Sequence, residues 1–179
     1  MSLAEKAMSC VRSQSTICSF RALNDKWVLY NHLPSVKDWT INGYTKVMHD
    51  IDTIEKVVAL NKALPDNVVK YSMLFFMREG ITPLWEDERN KHGGCFSYKV
   101  SNKHVVQVWR HMMYKVSGES LAIENDYSDA INGITISPKK NFCIVKIWLR
   151  DNKHQDPQTI SSIDNLTKHG SMFKKHGDT

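Results

Sequence analysis

A tryptophan stands directly beside three acids in the segment GITPLWEDER, residues 80–89. Trp85 comes two residues after Pro83, which indicates a loop, and it precedes Glu86, Asp87 and Glu88. Such a run of acids could bind Mg²⁺ in a phosphohydrolase. Consecutive loop residues point in different directions, however, so a solvated run of charge explains the acids better. Since GxSxG, P-loop, HExxH and GxGxxG motifs are also absent, we predict no catalytic residue and no enzyme.

Two further tryptophans, Trp39 and Trp148, also fall in polar or outward-facing positions. Each tryptophan alone would be read as a half-buried core residue. Two loop indoles beside basic segments can instead form a slot for a flat ring, where each stacked base contributes about 1–3 kcal/mol. A cationic ring adds cation–π attraction, and a carboxylate such as Glu86 can accept two N–H groups from a guanine edge. The residues therefore predict a flat, cationic, guanine-like ligand that carries phosphates.

The composition fits one domain with a hydrophobic core. The chain has 179 residues, of which 41% are hydrophobic, and a net charge of +5. This charge suits a partner that carries phosphates, although many ordinary proteins share it. The four cysteines lack CxxC spacing and are expected to be free thiols in a reducing compartment. The eight histidines show no metal-ligand spacing, so we expect neither a metal nor a cofactor.

The ends of the chain carry little patterning. Residues 1–21 are polar and are predicted to be a flexible segment before a single domain at 22–179. No apolar run is long enough for a membrane span, and the N-terminus lacks the apolar stretch of a secretory signal. We expect a cytoplasmic or nuclear protein.

Periodicity predicts an α+β domain that positions these side chains. Strands are predicted at 25–32, 44–51, 68–79, 95–100, 131–137 and 141–150, and helices from an Asp52 N-cap to Pro65 and over 102–117. The remaining segments are read as loops, including 33–39, 80–94 and an acidic connection at 118–130, and 151–179 shows few apolar anchors. The resulting order β-β-α-β-β-α-β-β predicts a mostly antiparallel sheet with helices on one face.

The last predicted strand has two distinct faces. One face carries only core-forming residues: Cys143, Val145, Ile147 and Leu149. The other face combines aromatic, aliphatic and cationic residues: Phe142, Ile144, Lys146 and Trp148. We therefore expect this second face to meet solvent or a ligand.

The segment GITPLWEDERNKHGG strongly resembles the central signature of the eukaryotic translation initiation factor 4E family, whose members bind the cap of messenger RNA. Further blocks follow in the family's order: KDW at 37–39, DTIEKVVALNKAL at 52–64, GES and DYSD between 118 and 129, VKIW at 145–148 and TKHGS at 167–171. The resemblance covers about residues 22–171. It implies a curved antiparallel sheet with helices on its convex face and the cap in its concave face.

The resemblance also implies the roles of the base-binding residues. Trp39 and Trp85 would sandwich the 7-methylguanine ring, which methylation at N7 makes cationic. Glu86 would accept the N1 and N2 protons, and the Trp85 backbone N–H would meet O6. Trp148 would pack against the N7 methyl group.

The implied phosphate clamp departs from the family. The candidate phosphate-binding residues are all lysines: Lys139, Lys140, Lys146 and Lys168. Cys95 stands where the family has an arginine, and Ile144 replaces the second basic residue of the last hairpin. A lysine lacks the bidentate fork of an arginine, so we expect triphosphate binding with a changed geometry.

The implied partner site on the helices departs further. The corresponding residues are Ile54, Val58, Arg110 and His111. Val58 replaces the family's tryptophan, and Arg110 and His111 replace its leucine and glutamate. Because aromatic anchors often dominate such interfaces, we expect weak binding of standard partners or a dedicated partner.

Two functions remain open at this point. The leading one is a monomeric initiation factor that recruits capped messenger RNA to a scaffold protein. The alternative is a cap-binding repressor or selective adaptor that does not bind the usual scaffold, which the substitutions at Val58 and Arg110 favour. The C-terminal region is also shorter than the family's usual third helix and following strand require.

Overall fold

A single antiparallel sheet of seven strands organises the computed structural model, which describes residues 3, 5, 6, 9, 20–153, 155–168 and 171–177. The sheet is curved, and its strands follow the order β2-β1-β3-β5-β6-β4-β7. Their bounds are β1 Ala22–His32, β2 Thr45–Thr53, β3 Met73–Arg78, β4 Gly94–Ser101, β5 Ile131–Pro138, β6 Phe142–Leu149 and β7 Met172–Lys175. The predicted α+β class with an antiparallel sheet is confirmed, and the predicted N-terminal segment lies mostly outside the described residues.

The helices pack against one face of this sheet. They are α1 Ile54–Ala63, α2 Asp66–Tyr71, α3 Val105–Ser117 and α4 Asn125–Ser128, and two 3₁₀ turns lie at Ile41–Gly43 and Pro157–Thr159. The predicted apolar stripe of α3 is fully buried: Val105, Val108, Trp109, Met112, Met113 and Val116. The stripe joins the main core, as its helical spacing predicts. Within the described residues, no helix is long and apolar enough to cross a membrane.

Helix α1 begins one residue later than predicted. Thr53, and not Asp52, is the N-cap, because its hydroxyl accepts the Lys56 backbone N–H at 3.3 Å. Strand β2 extends to Thr53, which pairs with Ala22, so Asp52 still belongs to the strand. Its carboxylate instead lies 2.7 Å from the Lys56 ammonium.

The predicted strand over 68–79 is wrong in its first half. Residues 66–71 form α2, and β3 begins only at Met73. The Val68 backbone N–H donates to the Pro65 carbonyl at 3.0 Å, which starts a helical turn directly after the proline. Packing of Val69 into the main core then outweighs the preference of paired valines for strands.

The segment after β6 contributes more than its composition indicates. Three of its apolar residues, Ile160, Ile163 and Leu166, are buried in the main core. Strand β7, which the sequence pattern did not predict, pairs with β4 along Gly94–Ser97. This last strand extends the sheet by one position at its edge.

The two faces predicted for β6 are confirmed. Cys143, Val145, Ile147 and Leu149 belong to the main core beneath the helices. Trp148 belongs to a smaller cluster on the opposite face, together with Val28, Tyr30, Phe75, Met77, Ile81 and Cys95. The face without helices is therefore partly apolar and carries the site described next.

Candidate functional site

A pocket of about 400 Å³ opens on the sheet face without helices. It brings together all four residues that the sequence predicts to bind a base: Trp39, Trp85, Glu86 and Trp148. They come from three separate segments of the chain, namely the β1–β2 loop, the β3–β4 loop and β6. We call this cavity the tryptophan pocket.

Trp39 is positioned by a buried histidine behind it. The His32 ring stacks on the indole with centroids 4.3 Å apart and planes 9° from parallel. His32 is fully buried at the end of β1, and its Nε2–H donates to the Asp38 carbonyl at 2.9 Å. Trp39 itself is 56% exposed, so it is held in place and still offers surface to a ligand.

The loop that carries Trp39 folds back tightly on itself. The Thr40 backbone N–H donates to the Asp38 carboxylate at 2.8 Å, and hydrogen bonding from Thr40 lowers the pKa of that carboxyl. A Cβ atom at Gly43 would lie 1.9 Å from the Asp38 carbonyl oxygen. Only glycine fits this close approach, so Gly43 helps to fix where the loop turns.

Trp85 also lines the pocket and is 49% exposed. It lies close to the chain after β7, where a Cβ atom at Gly177 would be 3.7 Å from the indole Cζ3. The segment of Lys174, Lys175, His176 and Gly177 therefore forms part of the pocket rim.

Asp87 holds the Trp85 loop together. Its carboxylate accepts hydrogen bonds from the Thr82 backbone at 2.8 Å, the Thr82 hydroxyl at 2.6 Å and the Arg89 backbone at 2.9 Å. Partial burial alone would raise the pKa of Asp87, but these hydrogen bonds outweigh it and lower the pKa. Glu88 remains exposed and lies 2.7 Å from the Lys91 ammonium. The two acids therefore have structural or solvated roles, as the sequence indicates.

Asn90 is a supporting residue that the sequence analysis missed. It is fully buried, and its side-chain amide donates to the Thr82 and Leu84 carbonyls at 3.0 and 2.7 Å. It also accepts Asn132 Nδ2–H at 2.8 Å and, through its carbonyl, His176 Nδ1–H at 2.7 Å. An asparagine between turn residues gives no sequence signal for such burial, because all these partners are brought together by the tertiary fold.

Trp148 forms the floor of the pocket. It is only 8% exposed, and its indole N–H donates to the Thr135 hydroxyl at 3.2 Å. The His176 ring packs on it at 4.7 Å and 54°. These contacts fix one orientation of the indole, so it can act as a rigid apolar surface.

Glu86 supplies a negative charge inside the pocket. Its side chain is exposed, and within the described part of the chain no hydrogen bond or ion pair occupies its carboxylate. Burial, with a smaller contribution from the charge of Glu86, raises the pKa of nearby Tyr44 to about 12. Tyr44 therefore keeps its proton at physiological pH.

The described cations that line the pocket are only partly those predicted. Lys146 does so, whereas the predicted Lys139 and Lys140 lie on the β5–β6 turn. The predicted Lys168 is also away from the lining, with its ammonium 3.4 Å from the Gln158 carbonyl.

Lys174 and Lys175 line the pocket instead, and the sequence analysis missed them because it missed β7. In the β4–β7 register Lys174 lies directly opposite Cys95. Lys175 lies opposite Gly94, next to the same point of β4.

The four predicted partner-binding residues lie on the helices, on the other side of the sheet. Ile54 and Val58 are half-buried on α1, and His111 is exposed on α3. Arg110 is engaged within the protein, because its guanidinium lies 3.3 Å from the Leu64 carbonyl and 2.9 Å from the Asp66 carboxylate.

The residues with defined positions contain no group of three or more histidine, cysteine or acidic side chains that could hold a metal ion. The groups that the pocket offers to a ligand are the indole rings, the Glu86 carboxylate and the lysine ammonium groups.

Comparison with known proteins gives one consistent family. The sequence model described as "Eukaryotic initiation factor 4E" matches residues 22–176. A protein of Eremothecium gossypii named eukaryotic translation initiation factor 4E is 31% identical over 159 residues, which cover 85% of this chain and 69% of that protein.

Solved structures match in fold as well. The complex of Caenorhabditis elegans eIF4E-3 with the 4E-binding protein Mextli and a cap analog has a TM-score of 0.74 at 22% identity, covering 89% of this chain and 95% of that one. Ascaris suum eIF4E-3 in complex with the m2,2,7G cap has a TM-score of 0.64 at 25% identity, covering 75% of this chain and 76% of that one.

Proposed function

The chain belongs to the eukaryotic initiation factor 4E family, and from that premise we propose that it binds the 7-methylguanosine cap of messenger RNA in the tryptophan pocket. The family match over residues 22–176 confirms the resemblance carried by the loop at 80–94. The observation that carries the proposal is the convergence of two exposed indoles, one buried indole and one unoccupied carboxylate on a single pocket.

The base stacks between Trp39 and Trp85. Methylation at N7 places a positive charge on the guanine ring, and an electron-rich indole attracts a cation over its face. His32 holds Trp39 from behind, so little conformational entropy is lost when the base enters. The Ascaris suum relative was solved with the m2,2,7G cap, which supports a methylated cap as the ligand.

The edge of the base is read by Glu86. Its carboxylate accepts the N1 and N2 protons, and the Trp85 backbone N–H donates to O6. Charge-assisted hydrogen bonds of this kind are shorter and stronger than neutral ones. Trp148, held by Thr135, packs against the N7 methyl group.

The phosphates are held by lysines around the rim. Lys146, Lys174 and Lys175 are nearest to the base pocket, and Lys174 supplies a cation directly across from Cys95. The remaining predicted lysines, Lys139, Lys140 and Lys168, act further from the base. We expect Lys174→Ala to weaken binding of 7-methyl-GTP more than binding of 7-methylguanosine, because only 7-methyl-GTP carries phosphates.

The bound message is delivered through the opposite face of the sheet. A scaffold protein of translation initiation, or a dedicated partner, contacts Ile54, Val58, Arg110 and His111 on the helices. The Caenorhabditis elegans relative was solved with the 4E-binding protein Mextli, which supports a protein partner. The chain acts as a monomeric binding factor, in keeping with a family of cap-binding factors that are not enzymes.

A cap-binding repressor or selective adaptor is the second candidate. The specific observations in its favour are the engagement of Arg110 by Leu64 and Asp66 and the valine at position 58. A half-buried valine offers a partner much less aromatic surface than a tryptophan does.

The proposed place of action is the cytoplasm, where the family's translation factors mainly act. A nuclear pool is a further proposal, and fluorescence imaging of the tagged chain would detect it.

Tryptophan fluorescence with 7-methyl-GTP and GTP tests the cap proposal. We expect strong quenching by 7-methyl-GTP and a clearly lower affinity for GTP, because only the methylated ring is cationic. Trp39→Ala should abolish most of this binding, whereas Tyr71→Ala, at an exposed position on α2, should not change it. Equal affinities for the two nucleotides would contradict the stacking mechanism.

A further inference from the structure

The indole of Trp39 offers only one of its two faces to a ligand. The His32 ring covers the other face, with centroids 4.3 Å apart and planes 9° from parallel. The indole is 56% exposed and lines the tryptophan pocket, so its free face is the one that remains for a base. A bound base and the His32 imidazole would therefore lie on opposite sides of the same aromatic ring system.

The hydrogen bond of His32 fixes which ring nitrogen carries the hydrogen when the imidazole is neutral. Nε2 lies 2.9 Å from the Asp38 carbonyl oxygen, which can only accept, so Nε2 is the donor. Nδ1 is then left as an acceptor, and it is buried without a hydrogen-bond partner among the described residues. A further proton can bind only at Nδ1, and it would turn the imidazole into a cation.

Asp38 is the charged neighbour of His32 on its own loop. Hydrogen bonding from Thr40 lowers the pKa of the Asp38 carboxyl, and the charge of His32 contributes less in the same direction. The carboxylate is therefore ionised at neutral and mildly acidic pH. Because a nearby carboxylate stabilises a positive imidazole, a proton on Nδ1 would have an electrostatic partner even though the ring is buried.

The other elements packed against His32 present neutral groups. The Tyr44 ring meets the imidazole edge-on at 4.8 Å, and burial, with a smaller contribution from Glu86, raises the pKa of Tyr44 to about 12. Met73 lies directly opposite His32 on β3 and has no charge. These neighbours bring no cation to His32, so protonation of the ring itself decides whether a positive charge lies behind Trp39.

We propose that His32 is a positioning residue whose neutral form favours cap binding, so that a proton on its Nδ1 and the cationic base compete across the indole of Trp39. The proposal rests on the proposed function, because it needs 7-methylguanine on the pocket side of that indole. A cation is attracted by the negative face of an indole, and a second cation on the far face weakens this attraction and repels the first. The uncharged guanine of GTP is affected much less.

The test measures the preference for 7-methyl-GTP over GTP by fluorescence titration at about pH 7 and at about pH 5.5, a range in which histidines ordinarily gain a proton. We expect the wild-type preference to fall about fivefold on acidification, which corresponds to a cation–π contribution of about 1 kcal/mol. His32→Phe keeps a ring behind Trp39 but has no site for the proton, so its preference should not show this fall.

The design removes the two other sources of pH dependence. The ratio of the two affinities cancels titration of the phosphates, because both nucleotides carry the same triphosphate. The comparison of wild type with His32→Phe cancels titration of the methylated base, because the ligand is the same for both proteins.

His176 needs its own control, because it lines the tryptophan pocket and packs on Trp148. His176→Gln should keep the fall in preference that the wild type shows. A fall that disappears in His176→Gln and persists in His32→Phe would overturn this inference, and so would a wild-type preference that stays constant. Equal affinities for 7-methyl-GTP and GTP at about pH 7 would instead overturn the proposed function.

Calorimetry on the wild-type protein gives a second measurement that needs no variant. Because linkage is reciprocal, binding of the cationic base should displace the proton from His32. At about pH 6, 7-methyl-GTP should therefore release more protons than GTP, measured from the binding enthalpies in buffers of different ionisation enthalpy. Equal release by the two nucleotides would contradict the competition even if His32→Phe fails to fold.

Discussion

At the scale of single residues, the indoles of Trp39 and Trp148 are each held by a neighbouring side chain. His32 stacks behind Trp39, and Thr135 accepts the hydrogen bond of Trp148. Asn90 holds the loop of Trp85 from below through two backbone carbonyls. The pocket is therefore formed before a ligand arrives, which favours a low entropic cost of binding.

Glu86 allows the sharpest test at this scale. Glu86→Gln keeps the size of the side chain but removes the charge of the acceptor, and its amide presents donors to the N–H edge of the base. We expect affinity for 7-methyl-GTP to fall by about 1–3 kcal/mol, measured by fluorescence titration. Glu88→Gln, two positions away and solvated, is the control and should be neutral. Equal affinity of Glu86→Gln and wild type would rule out edge recognition by this carboxylate.

At the scale of elements, the sequence predicted those strands and helices whose apolar residues repeat with the period of a strand or of a helix. The alternation of β6 and the helical stripe of α3 both appear in the structure as the sequence indicates. The division of residues 66–78 into α2 and β3 was not predictable, because an apolar run is buried equally well in either element. Strand β7 was not predictable either, because a short polar strand is defined only by its pairing with β4.

The same contrast, between local sequence patterns and contacts made only in the folded sheet, explains what could be predicted of the site. Trp39, Trp85, Glu86 and Trp148 were identified because their motifs are local and specific. Lys174 and His176 were missed because they reach the pocket only through the pairing of β7 with β4. Contacts across the sheet leave no mark on the spacing of residues along the chain.

Helix α1 carries the prediction about partners. Val58→Trp should restore an aromatic anchor on this helix and raise affinity for an amphipathic helical peptide of a 4E-binding protein by about tenfold. Calorimetry with the peptide measures this gain, and a peptide with its apolar residues replaced by alanine is the control. No gain would mean that the engagement of Arg110 by Asp66, rather than the missing tryptophan, limits the interface.

At the scale of the whole molecule, the C-terminal segment links folding stability to pH. Burial lowers the pKa of His176, the hydrogen bond to the Asn90 carbonyl opposes this, and the charge of Lys146 lowers the pKa further. The His176 ring therefore takes up a proton less readily in the folded protein than in the unfolded chain, where a histidine has a pKa of about 6.5. Stability is complete above that value and falls as the pH drops through it.

Thermal unfolding between about pH 7.5 and 5.5 measures this effect. We expect the wild-type melting temperature to fall as the solution is acidified through the ordinary histidine range. His176→Gln, which keeps a donor for the Asn90 carbonyl, should flatten part of that dependence, and His92→Gln, at an exposed position, should not. A profile for His176→Gln that parallels the wild type would show that another group is responsible.

The edge position of β7 has a consequence for motion. This strand spans only Met172–Lys175 and is hydrogen-bonded to one neighbour, β4, whereas β4 itself is bonded on both sides. A short edge strand is the kind of element that detaches locally at little cost while the rest of the fold stays intact. Its departure would carry Lys174, Lys175, His176 and Gly177 away from the pocket together. Amide hydrogen exchange would then be fastest in β7, and an occupant of the pocket would slow it.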